Sequence, residues 1–158
     1  MREAMTAHQP LRVLFLCTGN AARSQMAEAL LRQLSKGRIE AFSAGSVPQE
    51  HVHPLAAATL RDKYDIDSTD LFPKPISGFL DQSFDYIITV CDRSAETCPV
   101  FPGDPERIHW SFEDPAAVAG AEPQQRAFEH VASGLSNRIR LWMALPDIRR
   151  RMELARPG

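Results

Sequence analysis

The segment Leu11-Arg12-Val13-Leu14-Phe15-Leu16 is a short apolar run that ends on Cys17 and passes through Thr18-Gly19-Asn20-Ala21-Ala22-Arg23-Ser24 into a stretch of helical periodicity. An apolar run of this length reads as a buried parallel strand. Gly19-Asn20 signals a turn, and Ser24 is placed to cap a helix. Met26, Ala27, Leu30, Leu31 and Leu34 then recur at helical spacing until Lys36-Gly37 stops it. A strand, a tight loop and a helix in direct succession commit the chain to an α/β layout, because parallel strands need a crossover to lie side by side.

The rest of the chain repeats that alternation. Ile39 to Ser43 reads as a second strand closed by Ala44-Gly45, Pro48 marks a loop, and Pro54 to Lys63 reads as a second helix. Tyr64 to Pro75 is rich in Asp and Pro and predicts an irregular connection, followed by a short helix through Ile76, Phe79 and Leu80. Phe84 to Val90 is a third strand and Ile108 to Trp110 a short fourth. Phe128, Val131, Leu135, Ile139 and Trp142 form the apolar face of a final helix that covers the sheet.

The expected fold is α/β, a single-domain three-layer sandwich with a four-stranded parallel sheet flanked by helices. A length of 158 residues with 44% hydrophobic content fits one ordinary core. Residues 1–10 read as a flexible N-terminus, 11–148 as the domain, and 149–158, opening on Arg149-Arg150-Arg151, as a basic C-terminal tail that is a solvated helix end.

A formal charge of -2, from 18 basic against 20 acidic residues, provides no general field for nucleic acid or an anionic membrane. Met1 to Pro10 lacks a signal-peptide core, and no stretch approaches the ~18 apolar residues of a membrane span. A cytoplasmic protein that binds neither nucleic acid nor membrane is expected. Its 3 cysteines are too few for a disulfide framework, so they are either buried apolar fillers or reactive thiols.

Cys17 belongs to a Cys-x5-Arg-Ser pattern between strand and helix. Wrapping a tetrahedral oxyanion needs successive backbone N–H groups pointing inward, and Gly19, Ala21 and Ala22 are small enough for that approach. Arg23 supplies a planar fork for two anion oxygens, while the helix dipole and the Ser24 hydroxyl favour a nucleophilic Cys17 thiolate. Cys91 follows the third strand directly and so emerges at the same carboxyl edge of the sheet, with Cys98 beyond it beside Pro99. His51 and His53 read as exposed polar residues and His109 as a packed strand-end residue; neither a metal nor a cofactor is expected.

Val13 to Leu30 resembles the low-molecular-weight tyrosine phosphatase superfamily, which includes the thioredoxin-coupled arsenate reductases. Ser43-Ala44-Gly45 and Asp114-Pro115 extend the resemblance, and Val90 to Pro99 is similar to the redox segment of the reductases. It implies a low-molecular-weight phosphatase-like fold and arsenate reduction to arsenite, with Cys17 attacking arsenate and Asp114 protonating the departing oxygen. Cys91 would then attack Cys17, and Cys98 would attack Cys91 to leave a Cys91 to Cys98 disulfide for thioredoxin, or for glutaredoxin or a small thiol. Where the phosphatases carry aromatic residues after Asp114-Pro115, this chain has Ala116 and Ala117, which suit a bare inorganic oxyanion. Asn20, Glu28 and Ser43 match positions that orient the loop and, in some reductases, help bind potassium. Leu71 to Lys74 departs from that pattern, leaving Lys74 as a candidate for the cation's charge. The alternative is a tyrosine phosphatase acting through a Cys17 phosphoenzyme; a redox-sensing or oxyanion-binding module ranks third. A monomer is expected.

Overall fold

The computed structural model describes residues 9–90 and 100–155. Cys91, Cys98 and most of the N-terminal segment therefore lie outside the described residues.

Four strands, β1 (Leu11–Cys17), β2 (Ile39–Gly45), β3 (Tyr86–Thr89) and β4 (Glu106–His109), form one parallel sheet in the order β2-β1-β3-β4. They alternate with α1 (Arg23–Leu34), α2 (Pro54–Tyr64), α3 (Ala121–Met143) and α4 (Pro146–Leu154), and with 3-10 turns at Ile76–Phe79 and Pro115–Ala117. The chain is α/β, with β1 at the centre of the sheet.

That central place explains the composition of β1, since strand side chains alternate faces and both faces here are covered. Val13, Phe15 and Cys17 join the larger core with Met26, Leu30, Phe128, Leu135 and Trp142. Leu14 and Leu16 join a second core with Phe79, Phe84, Ile87 and Phe101. All four α-helices contribute to the first core, whereas among the described residues the second is covered by the 3-10 turn around Phe79 and the segments bearing Phe84 and Phe101. Arg12, the charged residue in this run, lies over the rings of Phe42 and Phe84, 4.8 Å from each centroid, and donates to the Ser83 carbonyl. Its stem covers apolar surface while its charge meets Glu40 at 3.3 Å.

Helix α3 buries Phe128, Val131, Leu135, Ile139 and Trp142, the stripe expected from spacing. Strand edges differ in detail. Tyr86–Thr89 is shorter than the expected Phe84 to Val90, though the Asp85 and Val90 amides still donate to Arg12 and Leu16 carbonyls of β1. The fourth strand lies at Glu106–His109 and not at Ile108 to Trp110. The Trp110 amide continues its ladder by donating to Thr89. Pro146 opens a separate helix, so Arg149 falls inside α4; Ile148 is buried beside the core while Arg149 and Arg150 face solvent.

Candidate active site

The carboxyl end of β1 delivers Cys17 to the floor of a cleft, where the residue is 4% exposed. In the parallel register Cys17 stands opposite Gly45, the last residue of β2. A Cβ at Gly45 would lie 2.6 Å from the Thr18 carbonyl oxygen and 2.9 Å from the Asn20 Cβ. Only glycine lets the loop after Cys17 turn this closely over β2.

The loop is held by its carbonyls. Those of Thr18, Gly19 and Ala21 accept from the amides of Val47, Gln49 and His53 at 2.9, 3.0 and 2.8 Å. These bonds tie three carbonyls of the loop to the segment after β2. Asn20 supplies the sharp turn with a φ of 48°, a left-handed conformation that Asn tolerates better than most residues. Fully buried, its side chain donates to Ser24 Oγ at 2.7 Å and accepts from the Lys74 amide at 2.8 Å and Gln25 Nε2 at 3.0 Å.

Ser24 does not cap α1. The helix begins two residues earlier than a Ser24 cap would set it, with Ala22 as N-cap, and no side chain caps it. Asn20 engages the Ser24 hydroxyl instead, and the helix N-terminus favours a negative charge placed before it. Arg23, the first helical residue, is 9% exposed and donates from Nη1 to the Phe112 carbonyl at 2.8 Å. Phe112 precedes the loop that carries Asp114. One Asp114 carboxylate oxygen accepts from the Ala116 amide at 3.0 Å and so caps the 3-10 turn, which fixes the side chain at the rim.

Cys17, Thr18, Gly19, Asn20, Ala21, Ala22, Arg23 and Asp114 all line this one cleft, and Ser24 lies buried beneath it. Cys91 and Cys98 lie outside the described residues. Val47, Pro48, Gln49, His53 and Ala116 complete the wall. His53 is not a bystander: its Nδ1 accepts from the Leu55 amide at 3.1 Å as the N-cap of α2, and its ring packs 4.6 Å from Phe128. Because Nδ1 accepts, the proton of the neutral ring sits on Nε2. The signal was its position before Pro54, since proline at the first helical turn puts the preceding residue at the cap. His109, in contrast, is exposed and shares a hydrogen bond with Thr89 Oγ1.

Beneath the loop, Glu28 is 2% exposed and accepts from Ser43 Oγ at 2.6 Å, with Lys74 Nζ at 3.5 Å and Arg32 Nη1 at 2.8 Å. Lys74 thus turns inward and brings a positive charge to the Glu28 and Ser43 pair. Burial holds its ammonium below the usual lysine value of 10.5, against the opposing pull of Glu28. Among the described residues no group of three or more His, Cys, Asp or Glu side chains could hold a metal.

A parallel sheet whose strand β1 ends in a Cys-x5-Arg loop, with Cys17, Arg23 and Asp114 lining one cleft, carries the residue types that thiol-dependent chemistry on an oxyanion requires. Residues 12–153 match the low molecular weight phosphotyrosine protein phosphatase family, and the chain belongs to it. Within that family its relatives include the arsenate reductase of Halalkalibacterium halodurans, 34% identical over 81% of this chain and 91% of the relative. The arsenate reductase of Bacillus subtilis is 33% identical over the same shares. Among solved structures, the arsenate reductase of Archaeoglobus fulgidus superposes with a TM-score of 0.62 at 30% identity, covering 80% of this chain and 98% of that one. The thioredoxin-dependent arsenate reductase of Corynebacterium glutamicum gives 0.64 at 27%, covering 90% and 70%.

Proposed function

We propose that this protein reduces arsenate to arsenite through a thiol–disulfide relay of Cys17, Cys91 and Cys98, with thioredoxin or a similar dithiol regenerating it. The observation that carries this reading is the cleft itself. Cys17, Arg23 and Asp114 line it together, and its remaining wall is Val47, Pro48, Gln49, His53 and Ala116. Among the described residues no phenylalanine, tyrosine or tryptophan lines it to hold a substrate ring, so it suits a bare inorganic oxyanion. The relatives named arsenate reductase support the same substrate.

Arsenate enters the nest of loop amides and the Arg23 fork, and the Cys17 thiolate attacks arsenic. Asp114 protonates the departing oxygen, which leaves as water, and a sulfur–arsenic bond remains. Cys91 attacks Cys17 Sγ, the sulfur–arsenic electron pair passes to arsenic, and arsenite leaves as a Cys17 to Cys91 disulfide forms. Cys98 then attacks Cys91, freeing the Cys17 thiolate and moving the disulfide to Cys91 and Cys98, where the reductant dithiol reopens it. Two thiols are oxidised for each arsenic reduced by two electrons. No metal or cofactor takes part, and the enzyme acts as a cytoplasmic monomer. No helix among the described residues is long and apolar enough to cross a membrane.

The second reading, a tyrosine phosphatase, is favoured by the family match and by the low molecular weight protein tyrosine phosphatase of T. tengcongensis, with a TM-score of 0.69 at 27% identity. Thioredoxin-coupled arsenite production by wild type, Cys17→Ser, Cys91→Ser and Cys98→Ser, assayed beside phosphotyrosine hydrolysis, separates the two. The relay requires multiple turnover to vanish in all three variants, with any hydrolysis lost only in Cys17→Ser. Brisk phosphotyrosine hydrolysis by wild type without arsenite production would make the protein a phosphatase.

A further inference from the structure

Gly134 stands in the interior of α3, where glycine is the poorest helix former after proline, and no turn or positive φ calls for it. Space does. A Cβ at Gly134 would lie 2.9 Å from Phe112 Cε1, so the Phe112 ring is seated against the bare backbone of the helix. The same Phe112 offers its carbonyl to Arg23 Nη1 at 2.8 Å, and two residues later the chain reaches Asp114. A second tie joins α3 to this loop, from Gln124 Nε2 to the Ala116 carbonyl at 3.0 Å.

We infer that Gly134 is a positioning residue: by giving the Phe112 ring a seat on α3 it sets the carbonyl that holds the Arg23 guanidinium, and with it the loop that carries Asp114. Neither Gly134 nor the Phe112 ring reaches the cleft; both act through Arg23 and Asp114. A methyl group at residue 134 pushes the ring outward, and the Phe112 carbonyl follows because ring and carbonyl share one residue in a short, doubly tethered loop. The guanidinium fork then loses its aim, and bidentate recognition of an oxyanion is sensitive to that aim. A role in folding alone makes a different forecast: overpacking against the Phe112 ring changes stability and leaves the phosphate affinity of the folded protein as it was.

Arg23 positioning is read from the affinity for inorganic phosphate, measured by calorimetry on the reduced full-length protein, and reaction rate from arsenite production; both rest on the Arg23 fork being the oxyanion site of the proposed function, and only the second rests on arsenate being the substrate. Gly134→Ala is expected to weaken phosphate binding about tenfold, the scale of one misaligned charge-assisted pair, in a protein that circular dichroism shows to be fully folded at the assay temperature. Adding Phe112→Leu, which shortens the displaced side chain, is expected to recover most of that affinity. Unchanged phosphate affinity in Gly134→Ala, a loss that Phe112→Leu does not relieve, or a loss in a variant that is partly unfolded at the assay temperature would each overturn the inference. If phosphate binding follows the expected pattern while wild type yields no arsenite, the proposed reaction fails and the positioning role of Gly134 stands.

Discussion

Gly45 shows how much of the site depends on an atom that is not there. Its missing Cβ leaves room for the Thr18 carbonyl at a distance of 2.6 Å, which no real Cβ tolerates. Gly45→Ala must therefore displace the loop, the end of β2, or both, while the core residues beneath keep their contacts. A loop moved by even a fraction of an ångström misdirects its amides and Cys17 together. Misplacement on the order of 1 Å costs roughly a hundredfold in rate. The expected outcome for Gly45→Ala is a fall of that size in kcat/KM for arsenate, in a protein whose circular dichroism spectrum is unchanged. Wild-type kinetics in the variant would show that the loop has slack that the packing does not reveal.

At the scale of elements, the site is a junction of helix starts. Helix α1 opens with no side-chain cap at the loop after Cys17, whereas α2 opens with the His53 side chain as its cap and the His53 amide bonded to Ala21 of that loop. The His53 ring also stacks on Phe128 of α3, so one residue joins two helices to the loop. His53→Ala removes the cap and the stack and is expected to destabilise the fold by about 1 to 2 kcal/mol, whereas His53→Asn, a strong capping residue, should recover the cap's share. Urea unfolding of the pair measures this. Equal stability of the two variants would mean that the cap contributes nothing and that the ring contact carries the whole effect.

For the molecule as a whole, the buried ion cluster under the loop makes stability depend on pH in a defined sense. The Lys74 ammonium is held below its ordinary 10.5 by burial, with Glu28 opposing and Arg32 adding to the shift. Between that lowered value and 10.5 the unfolded chain binds a proton that the folded one has released, so stability attributable to Lys74 rises with pH across this window and is lost as pH falls through it. The expected result is that the difference in urea midpoint between wild type and Lys74→Met moves in favour of wild type as pH is raised toward 10.5. A difference that is flat would mean that the attraction of Glu28 balances burial, and one that moves the other way that it outweighs burial.

The first βα unit was legible in the sequence because everything that defines it is local. An apolar run specifies a strand buried on both faces, small residues specify a tight loop, and a periodic stripe specifies the helix, so Cys17 through Arg23 could be placed together from spacing alone. The stripe on α3 and the four-strand alternation were legible for the same reason, although short strand edges such as Tyr86–Thr89 are fixed by the ladder and not by propensity. Asp114 could be found only through the family resemblance, because an isolated Asp-Pro is ordinarily a turn. Tertiary structure alone decided the rest. Ser24 has the chemistry of a helix cap, yet the buried Asn20 amide engages its hydroxyl. His53 became a wall of the cleft because β2 returns beside β1, and Lys74 met Glu28 across 46 residues of chain. Gly134 and Phe112 touch because α3 packs back onto the loop before it. Spacing along a chain encodes which face a residue takes; which distant residue it meets there is determined only when loop closure and packing bring the faces together.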